Sequence, residues 1–163
     1  MFSSLFRQMN RWNPTLRGRH QVLRLAQVCG ALPPEGIYDI GNGQTMHLRP
    51  DQYVDQLVYF LAMEPVVSRT LLNLLQPGDV FLDLGANIGY YTLSGAQKVG
   101  PAGRVISFEP QPQICARLRE NVTRNNLQHV TVHELALGEQ DGSFTLYIPP
   151  AEIGFGHASL SPQ

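Results

Sequence analysis

The second half of the chain alternates between two hydrophobic periods. Val80-Phe81-Leu82 is a short apolar run after Gly78-Asp79 and reads as a buried strand. Residues 90–99 predict a helix that Gly100-Pro101 closes. Arg104 to Phe108 predicts a second strand. Ile114, Leu118 and Val122 recur at helical spacing and mark one face of a second helix. Arg117, Arg119, Glu120 and Arg124 fall mostly off that line. Val130 to His133 predicts a third strand. Strands separated by helices of this length pair in parallel through right-handed crossovers. After the turn-rich 138–142, Phe144, Leu146 and Ile148 alternate with polar neighbours, which predicts a further strand in a hairpin with the third.

The first half is less regular. Residues 1–29 look weakly helical, interrupted by Asn13-Pro14 and Gly18, and Pro33, Pro34 and Gly36 make a linker. Ile37 to Ile40 and Thr45 to Leu48 flank Gly41-Asn42-Gly43-Gln44, the pattern of a small hairpin. Tyr53, Val54, Leu57, Val58 and Leu61 repeat at helical spacing. So do Val67, Leu71, Leu74 and Leu75, until Gln76-Pro77-Gly78 turns the chain. The expected organisation is α/β: an arm over 1–34, a hairpin and helices over 35–76, and a Rossmann-like parallel sheet over 77–163.

Composition narrows the class. Apolar content of 43% and charged content of 15% describe a globular chain, neither disordered nor membrane-embedded. Polar residues break every apolar stretch, so no transmembrane segment is expected. Cys29 and Cys115 form no metal or redox motif, which implies free thiols and a cytoplasmic location. The net charge of −1 is unevenly spread. Residues 1–34 hold five arginines and no acid, whereas the remainder holds 7 basic and 13 acidic residues. An acidic body argues against nucleic acid as the partner. The basic start reads as an exposed helical arm, with a membrane-surface segment or a transit peptide as alternatives.

The chemistry concentrates at the first strand–helix junction, Asp83-Leu84-Gly85-Ala86-Asn87-Ile88-Gly89. Ligands of doubly wound sheets sit beyond the carboxyl ends of the strands. Gly85 lets backbone approach a ligand, and Gly89 is expected to let the helix start tight against the strand. The helix N-terminus would offer unpaired amides to a carboxylate. Asp83 would oppose an ammonium or hold the loop. A dinucleotide fingerprint reads G-x-G-x-x-G, but here Asp83 replaces the first glycine. A carboxylate there repels a pyrophosphate and tolerates a zwitterionic methionine tail, so the pattern favours S-adenosylmethionine over a nicotinamide cofactor. Glu109-Pro110 ends the second strand, where an acid accepts hydrogen bonds from both ribose hydroxyls.

The run Gly78-Asp79-Val80-Phe81-Leu82-Asp83-Leu84-Gly85-Ala86-Asn87-Ile88-Gly89-Tyr90-Tyr91-Thr92 resembles the glycine-loop signature of the FkbM family of methyltransferases. Glu64-Pro65-Val66, Ser107-Phe108-Glu109-Pro110 and Ala136-Leu137-Gly138 are also similar to that family's pattern, over roughly Glu64 to Leu160. The resemblance implies a class I methyltransferase sheet and methyl transfer from S-adenosylmethionine to a hydroxyl oxygen of a sugar or natural product. It implies that Asp83, Gly85, Ala86, Asn87 and Gly89 line the methionine end. Glu109 and Pro110 would hold the ribose, and Leu135 and Ala136 would lie near the adenine. The family's pattern continues past Gln163, so a C-terminally truncated sheet is expected, with an unpaired edge inviting self-association. No residue is assigned as catalytic base. A non-catalytic cofactor-binding or interaction module, and a nicotinamide-dependent oxidoreductase, remain as other readings.

The remaining candidates have plainer readings. His20, His47, His129 and His133 lack partners at metal spacing and read as surface or packing residues, and His157 reads as part of a tail. One of Tyr90 and Tyr91 is expected at the cofactor and the other in the core. Glu64 suits a helix start as well as it suits the methionine tail.

Overall fold

The computed structural model describes residues 5–8, 19–143 and 145–147. The chain divides into two compact units, Met1–Leu71 and Leu72–Gln163.

In the first unit, helix α1 (Arg19–Val28) precedes a hairpin of β1 (Gly36–Asp39) and β2 (Thr45–Leu48), paired antiparallel with Asp39 opposite Thr45. The Asp39 carboxylate closes the turn by accepting the amides of Gly41 at 2.8 Å and Gly43 at 3.0 Å. Helix α2 (Tyr53–Tyr59) and the first part of α3 (Pro65–Leu74) follow. Within the stretch 1–34, where charge predicts an exposed arm, the described residues include apolar side chains that are not exposed. Phe6, Leu23 and Ala26 are buried, and the Phe6 ring meets Phe60 at 5.3 Å. The Arg7 guanidinium lies over the Tyr59 ring and donates to the carbonyls of Tyr59 and Asp39. The reason is physical: a planar cation that stacks on a ring and spends its donors on carbonyls is favourable inside a fold. Charge patterning alone assigns it to solvent.

The second unit follows the predicted alternation closely. Strands β3 (Val80–Leu84), β4 (Arg104–Phe108) and β5 (Val130–His133) lie in the order β3-β4-β5, each neighbouring pair parallel. Helices α4 (Tyr90–Val99) and α5 (Pro112–Arg124) are the crossovers. Pro112 opens α5 with no amide to lose. With strands in sequence order, right-handed crossovers put both helices on one face of the sheet. The burial agrees. Asp83, Val105 and Ser107 are buried, and Ala96, Val99 and Val105 form a core with Leu75, Phe81, Leu127 and Val130. The opposite face leaves Val80, Leu82 and Leu84 of β3 more than half exposed.

Phe144 and Ile148, which carry the expectation of a fourth strand, lie outside the described residues, as does His157. Residues 145 and 146 are not in a strand, and Tyr147 is an isolated bridge residue. Among the described residues no helix is long and apolar enough to cross a membrane.

Candidate functional site

The loop between β3 and α4 is stitched to the end of β4. The amides of Gly85 and Ala86 both donate to the Phe108 carbonyl, at 3.0 and 2.9 Å. The Asn87 amide donates to Glu109 Oε2 at 2.9 Å, and the Ile88 amide to Asn87 Oδ1 at 2.8 Å. The Gly89 amide donates to the Ala86 carbonyl at 2.9 Å. Each amide of residues 85–89 thus has a protein acceptor. Backbone donors away from water need acceptors, and here Phe108, the last residue of β4, and Glu109 just after it take three of the five.

Gly85 has φ +78, and a Cβ placed on it would meet nothing within 4 Å, so the space above it is open. Gly89 serves differently from the expectation. At φ +98 its Cβ would stand 2.5 Å from Leu118 Cδ1 and 3.4 Å from Leu93 Cδ1. The close approach is to α5, not to the strand.

Two carboxylates converge on this loop. Glu109 is 5% exposed, and its Oε1 accepts the Gln111 amide at 3.0 Å while Oε2 holds Asn87. Asp83 is 7% exposed, and its Oδ2 accepts the Thr92 hydroxyl at 2.5 Å. The Thr92 oxygen lies 2.8 Å from Ser107 Oγ. Burial pushes the Asp83 carboxyl above the ordinary carboxylate range, hydrogen bonds from Thr92 pull it back, and the Glu109 charge adds to the rise.

Beyond Glu109 a cleft of about 680 Å³ opens, lined by Pro110, Leu135, Ala136, Leu137 and Leu146 among others. Leu135 and Leu137 are about half exposed, at 55% and 53%. The structure thus ties Gly85, Ala86 and Asn87 to Phe108 and Glu109, holds Asp83 beside them through Thr92, and places Pro110, Leu135 and Ala136 along a cleft. A second cavity of about 510 Å³ lies in the first unit, and among the described residues it is lined by Gln21, Arg24, Gln27, Tyr53 and Gln56 with Leu23, none of them a carboxylate.

Thr92 and Ser107 fall within the FkbM-like runs without an assigned role, and Asn121 does not stand out in the sequence. Asn121 is fully buried and donates from Nδ2 to the Ile88 carbonyl at 3.0 Å, fastening the loop to α5. The available signal is a polar residue directly on the Ile114–Leu118–Val122 stripe, where water cannot satisfy it. Three of the histidines keep plain roles. His47 meets Glu35, His129 meets the Ala96 carbonyl at 3.0 Å, and His133 stacks on Phe108. Both cysteines are free; burial, first among its causes, raises the Cys115 thiol, which makes it a poor nucleophile. Tyr90 and Tyr91 pack edge to face at 5.2 Å.

The chain is similar in sequence to several known methyltransferases. A protein-L-isoaspartate O-methyltransferase of Triticum aestivum is 33% identical over 97 residues, 60% of this chain and 39% of its own length. An arsenite methyltransferase of Halobacterium salinarum is 40% identical over 65 residues, 40% of this chain and 16% of its own. The 31-O-demethyl-FK506 methyltransferase FkbM of Streptomyces tacrolimicus is 40% identical over 68 residues, 42% of this chain and 25% of its own. The chain thus spans less than two fifths of the length of each. The sequence profile of protein-L-isoaspartate(D-aspartate) O-methyltransferases matches residues 46–145, more than half of the chain. The chain belongs to that family of S-adenosylmethionine-dependent methyltransferases.

Proposed function

We propose that residues 77–147 bind S-adenosylmethionine across the β3–α4 loop, Glu109 and the adjoining cleft, and serve methyl transfer to an oxygen nucleophile. The observation that carries this reading is the bond from the Asn87 amide to Glu109 Oε2. It fixes the glycine loop and the ribose-side acid as one unit. The residues fit the cofactor. Each Glu109 oxygen accepts one amide and keeps a second acceptor site, the capacity that two ribose hydroxyls need. Asp83 and Glu109 make the junction doubly acidic, which suits a ligand carrying an ammonium and a sulfonium and repels a pyrophosphate. The open space above Gly85 admits a ligand's backbone-hugging tail. A cleft of about 680 Å³ is of ordinary ligand-site size.

When bound, the cofactor supplies a methyl group on a good leaving group, so transfer depends mainly on proximity and alignment. The part this chain plays is orientation: a loop whose amides are already satisfied holds its ligand without having to reorganise.

We favour a hydroxyl oxygen of a sugar or natural product as acceptor, of the FkbM type. The FkbM-like runs at 78–92, 107–110 and 136–138 support it. The second reading is a carboxylate oxygen of an isoaspartyl residue in a protein, which the profile match favours. Calorimetry tests the first step: adenosylhomocysteine should bind and NAD should not. NAD binding, or no binding of adenosylhomocysteine, overturns the reading. A methyl-transfer assay offering isoaspartyl peptides beside hydroxylated acceptors separates the two acceptor classes.

A further inference from the structure

When Asp83 is ionised its carboxylate only accepts, so the one hydroxyl proton of Thr92 goes to Asp83 Oδ2 at 2.5 Å. Ser107, 2.8 Å from the same oxygen, must then be the donor in that contact. The result is a one-way chain, Ser107 to Thr92 to Asp83. Thr92 and Ser107 have no solvent exposure, whereas Asp83 keeps 7%. Two hydroxyls on two different elements are thus aligned behind one acid of the cofactor loop.

We propose that Thr92, backed by Ser107, is the positioning residue that holds Asp83 as an oriented, charged acceptor for the cationic end of the ligand. The inference rests on the proposed cofactor site. A buried carboxylate beside a second one tends toward its neutral form, and Glu109 is the charged group acting on Asp83 from the end of β4. From α4 the facing group is Thr92, and from β4 it is Ser107. Donated hydrogen bonds favour the ionised state, and a chain of them polarises cooperatively. The sign follows. Ligand affinity falls as pH drops through the Asp83 value, and losing the Thr92 donor moves that fall to higher pH.

The test is adenosylhomocysteine binding against pH, together with a ¹³C NMR titration of the Asp83 carboxyl, for the parent chain, Thr92→Val, Thr92→Ser and Ser107→Ala. Thr92→Val keeps shape and loses the donor. It should raise the Asp83 midpoint by about one to two pH units, the scale of one hydrogen bond to a charged group, and the binding profile should move with it. Thr92→Ser should restore the parent profile. Ser107→Ala should shift it the same way by less, and it supplies the reading if Thr92→Val does not fold. Coinciding titrations for parent and both donor-deletion variants would overturn the proposal and leave Thr92 as packing. If the parent binds no adenosylhomocysteine, the cofactor reading fails instead, and the carboxyl titration still decides whether Thr92 controls the charge of Asp83.

Discussion

Glu109 joins two backbone segments while keeping acceptor capacity on both oxygens, so its removal acts on ligand and loop together. Glu109→Ala should weaken adenosylhomocysteine binding by about 1–3 kcal/mol, the usual effect of unpairing bonds to a charged acceptor. Calorimetry that shows parent-like affinity would remove Glu109 from the site. Asp83 makes a prediction of a different sign. Its folded-state value lies above the unfolded one because burial disfavours the charge. Such a group contributes stability below the ordinary carboxylate range and loses it as pH rises through the raised value. Asp83→Asn keeps the shape and an acceptor for Thr92 and has no charge to bury. Its urea midpoint should match or exceed the parent's at neutral pH, and that advantage should fade as pH falls through the raised Asp83 value and be gone below the ordinary carboxylate range. Weaker ligand binding should accompany the gain, the trade expected where a site holds a buried charge for function. An Asp83→Asn variant less stable than the parent at neutral pH and equal to it in acid would reverse the sign and refute the account.

At the scale of elements, α5 is as much a part of the loop as β3 and α4. Leu118 closes on Gly89, and Asn121 holds the Ile88 carbonyl. Asn121→Leu should destabilise the second unit by about 1–3 kcal/mol, because a buried carbonyl loses its partner. It should also weaken cofactor binding through a looser loop, with Glu109 and Asp83 intact. Thermal unfolding and calorimetry on the same sample check both, and parent-like values for both would show that Asn121 is only filler. This dependence is not legible in the sequence. A single polar residue in an apolar stripe breaks a pattern without saying what it bonds, and the partner lies 33 positions away. The elements themselves are legible where the hydrophobic period runs uninterrupted: α4, β4 and β5 lie at 90–99, 104–108 and 130–133 as predicted. The apolar run that predicts β3 ends at Leu82, two residues short of the strand's end at Leu84. The cause is Asp83, a charged residue whose place on the buried face is made tolerable by Thr92 and Ser107. In the first unit α2 stops at Tyr59, short of Leu61, which has φ +54 and turns the chain out of the helix.

The whole molecule inherits an asymmetry from the order β3-β4-β5. Both crossover helices cover one face, and among the described residues β3 sits at the end of the sheet. Its outer face presents Val80 at 64% exposure, Leu82 at 54% and Leu84 at 61%. These three alternate along one strand, so they form a continuous apolar strip beside the backbone of a terminal strand. Native sheets blunt such strands with charge, bulges or a cover, because an open ladder edge with an apolar face pairs with other chains. None of the three residues is charged, and the sequence pattern foretells the edge though not the bare face. A chain of these 163 residues should therefore self-associate, with an elution volume that depends on concentration and an apparent mass above 18.1 kDa. Leu82→Lys combined with Leu84→Lys should return it toward the monomer. Both side chains are more than half exposed, so the change costs little packing, whereas a row of lysines along the strand opposes pairing with a second copy. Adenosylhomocysteine affinity should be retained, since Asp83, Gly85 and Glu109 lie on the opposite face or beyond the strand ends. Sizing chromatography coupled to light scattering over a wide concentration range decides the matter. A parent chain that stays monomeric throughout refutes the prediction.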